Sequence, residues 1–174
     1  MKKMKAKEII MSFAMSFLAI VAMAQDKKDV VDIAISSENH TTLVAAVKAA
    51  DLVATLKGEG PFTVFAPTNA AFAKLPEGTV DMLLKPENKK ALAGILTYHV
   101  VAGNLDATKV LAAIKEGMGK VTLPTVAGGS LTASIEGGKV ILTDEKGGKS
   151  TVTATDLKGS NGVIHVIDTV LMPK

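Results

Sequence analysis

Close to the C-terminus, Ser160, His165 and Asp168 provide the three residue types of a hydrolytic triad. In such a triad the serine attacks the substrate, the histidine takes its proton, and the acid orients the histidine. Residues 159–162 read GSNG and lack the G-x-S-x-G turn that exposes the serine in many hydrolases. Side chains of an extended segment alternate between its two faces, which would point His165 and Asp168 in opposite directions. The pattern therefore favours a turn followed by a core strand.

The spacing of the polar residues favours neither a phosphate-binding loop nor a metal site. Residues 147–150 read GGKS and imitate the end of a phosphate-binding loop, but Thr143 stands where that motif requires glycine. The three histidines, His40, His99 and His165, show none of the short spacings that bind zinc. No cofactor and no metal site are therefore expected.

The composition excludes several classes of function. The chain has 174 residues, of which five are Phe and one is Tyr, and it contains no Cys and no Arg. Disulfides, thiolate metal sites and cysteine nucleophiles are thus impossible. Nucleic-acid binding is not expected either, because arginine and aromatic residues carry most of such recognition. The core must be built from aliphatic side chains.

The N-terminus has the pattern of a secretory signal peptide over residues 1–24. Four of the 20 Lys precede an apolar run too short to span a membrane, and an A-x-A cleavage pattern ends at Ala24. Cleavage would leave Gln25 as the mature N-terminus, on a chain that is close to neutral and located outside the cytoplasm, secreted or periplasmic. A polar lead, residues 25–28, would then precede one domain, residues 29–174, which we expect to act as a monomer.

Helical patterns dominate the first half of this domain. Apolar residues repeat at helical spacing in residues 43–56, and Asn39 or Thr41 is the candidate N-cap. Residues 39–41 also match a glycosylation sequon, but the helix cap is the favoured interpretation. Residues 62–66 form a β-type run between two prolines. Further helical patterns occupy four later segments: one that Thr68 can cap, one that Thr79 can cap, one after Pro86 and one over residues 106–116.

Short β-rich runs separated by glycine pairs dominate the second half. The predicted strands cover residues 121–126, 130–135, 139–143, 150–154 and 163–171. The glycine pairs between them predict hairpin turns, because glycine reaches positive φ without steric cost. The residues thus indicate an α+β domain with an antiparallel sheet system and segregated helices.

Two longer stretches and one dipeptide resemble a known family. Residues 62–72 read FTVFAPTNAAF, residues 161–168 read NGVIHVID, and Tyr98-His99 lies between them. In this order and spacing they resemble the first box, the second box and the Tyr-His motif of the fasciclin domain. The resemblance covers nearly the whole chain after the signal segment and extends to short secreted bacterial proteins with one such domain.

This resemblance implies a fold in which two β-sheets pack as a wedge with helices along one side. It also implies a secreted, non-enzymatic module for adhesion or binding, whose partner is an extracellular or cell-envelope protein or polysaccharide. Some animal members bind integrins, and the Tyr-His region has been implicated there. This chain has no Arg-Gly-Asp sequence, so its partner is left open.

Tyr98, His99, Asn161 and His165 are the candidate binding residues. Each also has an explanation in folding alone: the Tyr-His pair can end a helix, and Asn161 can form the turn before a core strand. Two alternative functions are kept. A carrier of a small apolar ligand would need a cavity of roughly 300–1,000 Å³. A hydrolase using His165 or His99 would need a nucleophile and a carboxylate in the same pocket.

Overall fold

The computed structural model describes residues 27–174, so the predicted signal segment lies outside the described residues. The helices of the described part are α1 (Val30–Ile35), α2 (Thr41–Ala49), α3 (Val53–Leu56), α4 (Asn69–Ala73), α5 (Thr79–Leu83), α6 (Lys89–Tyr98) and α7 (Ala107–Glu116). Its strands are β1 (Phe62–Pro67), β2 (Val100–Ala102), β3 (Lys120–Pro124), β4 (Ser130–Glu136), β5 (Lys139–Thr143), β6 (Lys149–Gly159) and β7 (Gly162–Ile167). Short 3-10 helices precede α2 and α6, at Glu38–His40 and Pro86–Asn88. The predicted α+β class is confirmed.

The strands hydrogen-bond in the order β2-β1-β7-β6-β5-β4-β3. Strands β1 and β7 run parallel, with Phe62 opposite Gly162, whereas the other neighbouring pairs are antiparallel. The expectation of a wholly antiparallel sheet is therefore wrong at this one pair. No hairpin connects the two strands, so no turn geometry forces them to run in opposite directions. As a result the first and second boxes of the sequence lie side by side.

Strand β6 joins two parts of this sheet. Its first residues pair with β5 and the remainder pairs with β7, with register shifts on either side of Ala154. Such irregularities bend a strand and increase its twist. The edge strands β2 and β3 approach each other, since Val101 pairs with Thr125 and the Val126 N–H donates to the Val100 carbonyl at 2.8 Å. The strands thereby fold into two packed layers.

Two hydrophobic cores lie on opposite sides of β1 and β7. The helix-covered core is formed by α1, α2, α3, α4 and α6 against residues such as Val64 and Ile164. The strand-enclosed core contains Phe65, Tyr98 and Ile167, with apolar residues of α7, β3, β4 and β5. Successive residues of a strand point to opposite faces, so β1 serves both cores.

Helix α2 receives its cap from another part of the chain. Asn39 lies in the 3-10 helix, and no side chain next to α2 caps its first turn, so the predicted local cap is wrong. The Asn69 carboxamide oxygen instead accepts hydrogen bonds from the Thr42 N–H at 3.0 Å and the Thr41 hydroxyl at 3.2 Å. Its nitrogen donates to the Glu38 carbonyl at 3.0 Å. Asn69, a residue of the first box, thus satisfies donors at the start of α2 that were expected to bond to a side chain next to them in the chain.

The two predicted threonine caps have different outcomes. The Thr68 hydroxyl accepts a hydrogen bond from the Ala71 N–H at 3.2 Å, which confirms it as the N-cap of α4. Helix α5 includes Thr79, and the residue before it, Gly78, takes the cap position with φ +79°. A left-handed backbone favours glycine, which explains the shift of this helix start by one residue.

Candidate functional site

Tyr98 ends α6 and has no solvent-exposed surface. Its ring packs against Gly129, where an added Cβ would come within 2.9 Å of the ring carbon Cε2. The hydroxyl donates to the Ser130 carbonyl at 2.7 Å and accepts from the Glu145 N–H at 3.1 Å. Burial raises the pKa of Tyr98, which keeps the phenol neutral. The side chain therefore joins α6 through hydrogen bonds to the start of β4 and to the β5–β6 turn.

His99 follows directly and joins α6 to the C-terminal segment. Its Nδ1 lies 2.8 Å from the Ile95 carbonyl, and its Nε2 accepts from the Leu171 N–H at 3.0 Å. The carbonyl can only accept and the amide can only donate, so Nδ1 carries the proton. Burial lowers the pKa of His99 to about 4, so the ring is neutral at pH 7. The ring lies at the carbonyl end of α6, as predicted, and bonds there as a neutral imidazole.

Asn161 connects three parts of the helix-covered side. Its carboxamide oxygen accepts from the Val30 N–H at 3.0 Å, at the start of α1. Its nitrogen donates to the Leu56 carbonyl at 2.7 Å and the Gly58 carbonyl at 3.0 Å, at the end of α3. The predicted turn at Asn161 is present between β6 and β7, and the side chain stabilises much more than that turn.

His165 lies in the middle of β7 and is 2% exposed. Its ring stacks on Phe65, with 5.7 Å between the ring centroids and 27° between the planes. Its Nε2 lies 2.6 Å from the Leu105 carbonyl, so that nitrogen carries the proton. Nδ1 is left as a buried acceptor, with no hydrogen-bond partner among the described residues. His165 thus differs from His99 in having one unused ring nitrogen.

The four predicted binding residues lie at different places where elements of the fold pack together. Tyr98, His99 and His165 are buried, and Asn161 is half-buried at the β6–β7 turn. A buried side chain cannot touch a macromolecular partner unless the structure opens. That they contact a partner therefore stays a prediction, whereas their role in joining elements is a direct result of their hydrogen bonds.

The catalytic alternative lacks its geometry within the described residues. Ser160 is exposed, and its N–H donates to the Lys28 carbonyl at 2.9 Å. No hydrogen bond joins His165 to Ser160 or to Asp168 in residues 27–174. Both ring nitrogens of His99 are occupied by backbone groups. Neither histidine therefore has the nucleophile and carboxylate that hydrolysis requires.

Asp168 has a structural role at the end of β7. Its Oδ1 accepts from the Thr151 N–H at 2.9 Å and from the Thr169 hydroxyl at 3.0 Å. Burial alone would raise the pKa of Asp168, but these donors, with Thr151 first, lower it. The carboxylate fixes the end of β7 against β6.

Asp144 is a residue of similar importance that the sequence analysis missed. Its Oδ1 accepts from the N–H groups of Lys146 at 3.0 Å and Gly148 at 2.7 Å, which closes the β5–β6 turn. Its Oδ2 accepts from the Met172 N–H at 3.0 Å. An aspartate at the first position of a turn that ends in a glycine pair is a signal for a side-chain-bonded turn. The bond to the C-terminal segment had no such local signal.

Two apolar cavities are relevant to the alternative function, in which the protein carries a small apolar ligand. One lies under α1 and α2 and has a volume of about 40 Å³, far below the roughly 300–1,000 Å³ typical of ligand sites. The other lies between α7, β5 and β6 and has a volume of about 250 Å³, with His165 in its lining. Only the second approaches the size of a small organic molecule.

Metal binding and membrane crossing each require a feature that residues 27–174 lack. In this part of the chain no three His, Asp or Glu side chains are arranged to hold a metal ion. None of its helices combines the length and hydrophobicity needed to cross a bilayer.

The chain is similar to several known proteins. The Fasciclin domain family model matches residues 38–173. Protein sll1483 of Synechocystis sp. is 54% identical over 144 residues, which cover 83% of this chain and 73% of that protein. The cell surface glycolipoprotein MPB83 of Mycobacterium bovis is 36% identical over 163 residues, which cover 89% of this chain and 64% of that protein.

A solved structure has the same fold. It is a FAS1 domain pair from the insect cell adhesion molecule Fasciclin I, with a TM-score of 0.74. The match covers 83% of this chain and 51% of that chain, at 22% sequence identity. At this identity the likeness shows the fold alone.

Proposed function

The chain belongs to the fasciclin domain family, and on that premise we propose that it is a secreted or periplasmic binding module. It attaches to a protein or polysaccharide of the cell envelope or extracellular space and catalyses no reaction. The observation that carries this proposal is the family match over residues 38–173. The names of two similar proteins, one a cell surface glycolipoprotein and one a cell adhesion molecule, support it further.

The hydrogen bonds of the motif residues support a framework role in that binding. The Tyr98 hydroxyl, both His99 nitrogens and the Asn161 carboxamide are all used to join helices to turns or to the C-terminal segment. A framework held in this way presents its exposed loops in one conformation, which lowers the entropy lost on binding. We infer that these residues act on binding by holding the surface in place, and that exposed residues touch the partner.

The proposed location has a direct test. Export of the full chain followed by N-terminal sequencing should give Gln25 as the first residue, because the A-x-A pattern ends at Ala24. Fractionation of the cells should place the processed chain in the periplasm or the medium. Exported protein that begins at Met1 would contradict cleavage.

A binding isotherm tests the function itself. The processed chain, labelled at its N-terminus, should bind isolated envelope or matrix material saturably, and an excess of unlabelled chain should compete. A lysine-rich, arginine-free protein of similar size and charge serves as the control for electrostatic adsorption. Binding that does not saturate, or equal binding by the control protein, would refute the proposed binding function.

Treatment of the envelope material then separates the two partner classes. Protease digestion should abolish binding if the partner is a protein, whereas periodate oxidation should abolish it if the partner is a polysaccharide. Turnover of ester or glycoside substrates by the same preparation, if abolished by His165→Phe, would instead favour the hydrolase alternative.

A further inference from the structure

The cavity between α7, β5 and β6 is bordered by apolar side chains that keep some contact with solvent. Ala107, Val140 and Val152 are half-buried, and Leu111 is 36% exposed. A small molecule that enters from solvent can therefore reach these four side chains without rearrangement of the core. An apolar ligand would remove their remaining surface from water, which is the driving force for binding at such a site.

An irregular stretch of β6 forms one wall of this cavity. The register of β6 against β7 shifts twice, between Val152 and Ala154 and between Ala154 and Leu157. Val152 lies at the start of this stretch and Thr155 lies within it, and both line the cavity. Irregularities of this kind bend a strand, re-aim its side chains and are common beside active sites. The cavity thus borders a specific feature of the strand.

A residue with an uncommon backbone conformation joins this wall to the opposite one, α7. Asp156 follows Thr155 and has φ +61°, a left-handed conformation that is uncommon for residues other than glycine. Its Oδ1 accepts a hydrogen bond from the N–H of Ala107, the first residue of α7, at 2.8 Å. Strained residues persist where surrounding contacts hold them, and they cluster at ligand sites. The position of α7 beside β6 therefore depends on a specific contact at the edge of the cavity.

The size and the polarity of the cavity define its ligand. A cavity of about 150 Å³ holds benzene, so the 250 Å³ found here corresponds to about ten non-hydrogen atoms. Among the described residues that line it there is no Asp, Glu, Asn or Gln, and its one lysine, Lys139, is exposed. A charged group among the valines would lose its hydration without gaining a buried partner. The walls therefore favour a neutral hydrocarbon.

We propose that this cavity is a binding site for a small, neutral hydrocarbon molecule of about ten carbon atoms. The ligand contacts Leu111, Val140 and Val152, and its affinity comes from the apolar surface that it removes from water. This site is separate from the proposed attachment to envelope partners, so either proposal can fail without the other.

The probes that test this site are p-cymene, toluene and 4-isopropylbenzoate. Toluene is smaller than p-cymene, and 4-isopropylbenzoate has a carboxylate in place of the p-cymene methyl group. We expect p-cymene to bind at least about tenfold more tightly than toluene, since each additional buried carbon contributes about fourfold. It should also bind at least about tenfold more tightly than 4-isopropylbenzoate. Two-dimensional NMR of the processed chain measures binding, and the methyl signals of Leu111, Val140 and Val152 should shift.

Two tryptophan variants on exposed helix faces locate the binding. Leu111→Trp should occupy the opening and weaken p-cymene binding at least about tenfold. Met82→Trp is the matched control, because Met82 is an exposed apolar residue of α5 and does not line the cavity. Both changes are at exposed positions, so both variants should fold.

A pair of variants at Asp156 tests the contact between β6 and α7. Asp156→Asn keeps an oxygen acceptor and a residue that tolerates the left-handed conformation, so p-cymene binding should stay within about twofold. Asp156→Ala removes the hydrogen bond to Ala107 and should weaken p-cymene binding at least about fivefold. Equal affinity in the two variants would refute the role of this contact.

Three results would overturn the proposed site as a whole. The first is no binding of p-cymene up to its solubility limit. The second is an affinity for toluene or 4-isopropylbenzoate that equals the affinity for p-cymene, which would contradict the size or the neutrality of the ligand. The third is the same loss of affinity in Met82→Trp as in Leu111→Trp, which would place the binding elsewhere.

Discussion

His99 and His165 are both 2% exposed, and yet their surroundings differ in kind. His99 bonds through both nitrogens to backbone groups of α6 and of the C-terminal segment. His165 bonds through Nε2 and is one of the residues around a cavity of about 250 Å³, and its Nδ1 has no hydrogen-bond partner within residues 27–174. His99 is fully bonded and borders a small cavity of about 40 Å³, whereas His165 borders a larger cavity and, within residues 27–174, has one ring nitrogen without a hydrogen-bond partner.

This difference shows that burial alone does not assign a role to a histidine. A histidine whose two nitrogens are bonded is part of the framework, because moving it would break two buried hydrogen bonds. A histidine with one bonded nitrogen, such as His165, is held by fewer hydrogen bonds, and its position depends more on the packing of its ring.

The largest effect is expected for Tyr98→Ala. This change removes a fully buried ring and both hydrogen bonds of its hydroxyl. Loss of a buried aromatic side chain costs about 3–5 kcal/mol of the free energy of unfolding. Urea unfolding followed by circular dichroism measures the change. An unchanged melting temperature together with lost attachment to envelope material would show that Tyr98 contacts the partner.

The second prediction concerns acid. The pKa of His99 in the folded chain, about 4, lies below its ordinary value of 6.5, so the unfolded chain binds this proton more tightly. The stability that neutral His99 contributes is complete above pH 6.5 and is lost as the pH falls from 6.5 towards 4. The loss is about 3 kcal/mol. Unfolding free energies measured between pH 7 and pH 4 check it.

A variant separates this contribution from that of other groups. Burial also lowers the pKa of His40, which therefore acts in the same direction as the pH falls below 6.5. Replacing His99→Gln removes only the His99 part, so the decline between pH 6.5 and pH 4 should become shallower. An identical decline in the variant would assign the acid sensitivity to His40.

The third prediction tests the start of the strand that carries His165. Asn161→Ala removes the carboxamide that joins α1 and α3 to the β6–β7 turn, and should cost about 2 kcal/mol. Ser160→Ala is the matched control, because Ser160 is exposed and only its backbone bonds to Lys28; it should change stability by less than about 0.5 kcal/mol. Chemical unfolding of both variants measures the difference, and equal effects would refute it.

The smallest effect compares the packing of the two regions directly. Val152→Ile adds one methylene beside the 250 Å³ cavity and should stabilise the fold by about 0.5–1 kcal/mol. Val101→Ile adds the same group in the strand-enclosed core that contains Tyr98, where Val101 is 1% exposed, and should destabilise by about 1 kcal/mol. Melting temperatures should therefore move in opposite directions. A lower melting temperature in both variants would show that the cavity does not accommodate the added methylene.

Much of the fold could be predicted because its signals are local. The helix over residues 106–116, the hairpins at the glycine pairs and the cap at Thr68 depend on neighbours in the chain, and all are present. Helix α1 and strand β2 were missed, since each is short and depends on contacts with distant elements. The predicted strand over residues 163–171 ends at Ile167, because the following residues bond to His99 and Asp144 instead.

The candidate site was predictable only in part. The sequence singled out Tyr98, His99, Asn161 and His165 by type and by resemblance, but it showed neither their burial nor their partners. The partners are distant: Asn161 bonds to Val30 and Leu56, far away along the chain. Asp144 was missed for the same reason.

By itself, the sequence determined the class of the fold, the position of most elements, the family, and the absence of cysteine and arginine chemistry. These properties follow from residue types and from spacings of a few positions, which act through local geometry. Only the tertiary structure decided that β1 and β7 run parallel, that Asn69 caps α2, and that within residues 27–174 one ring nitrogen of the buried His165 has no hydrogen-bond partner. Those features depend on which distant atoms meet in the packed interior, and no local pattern specifies that.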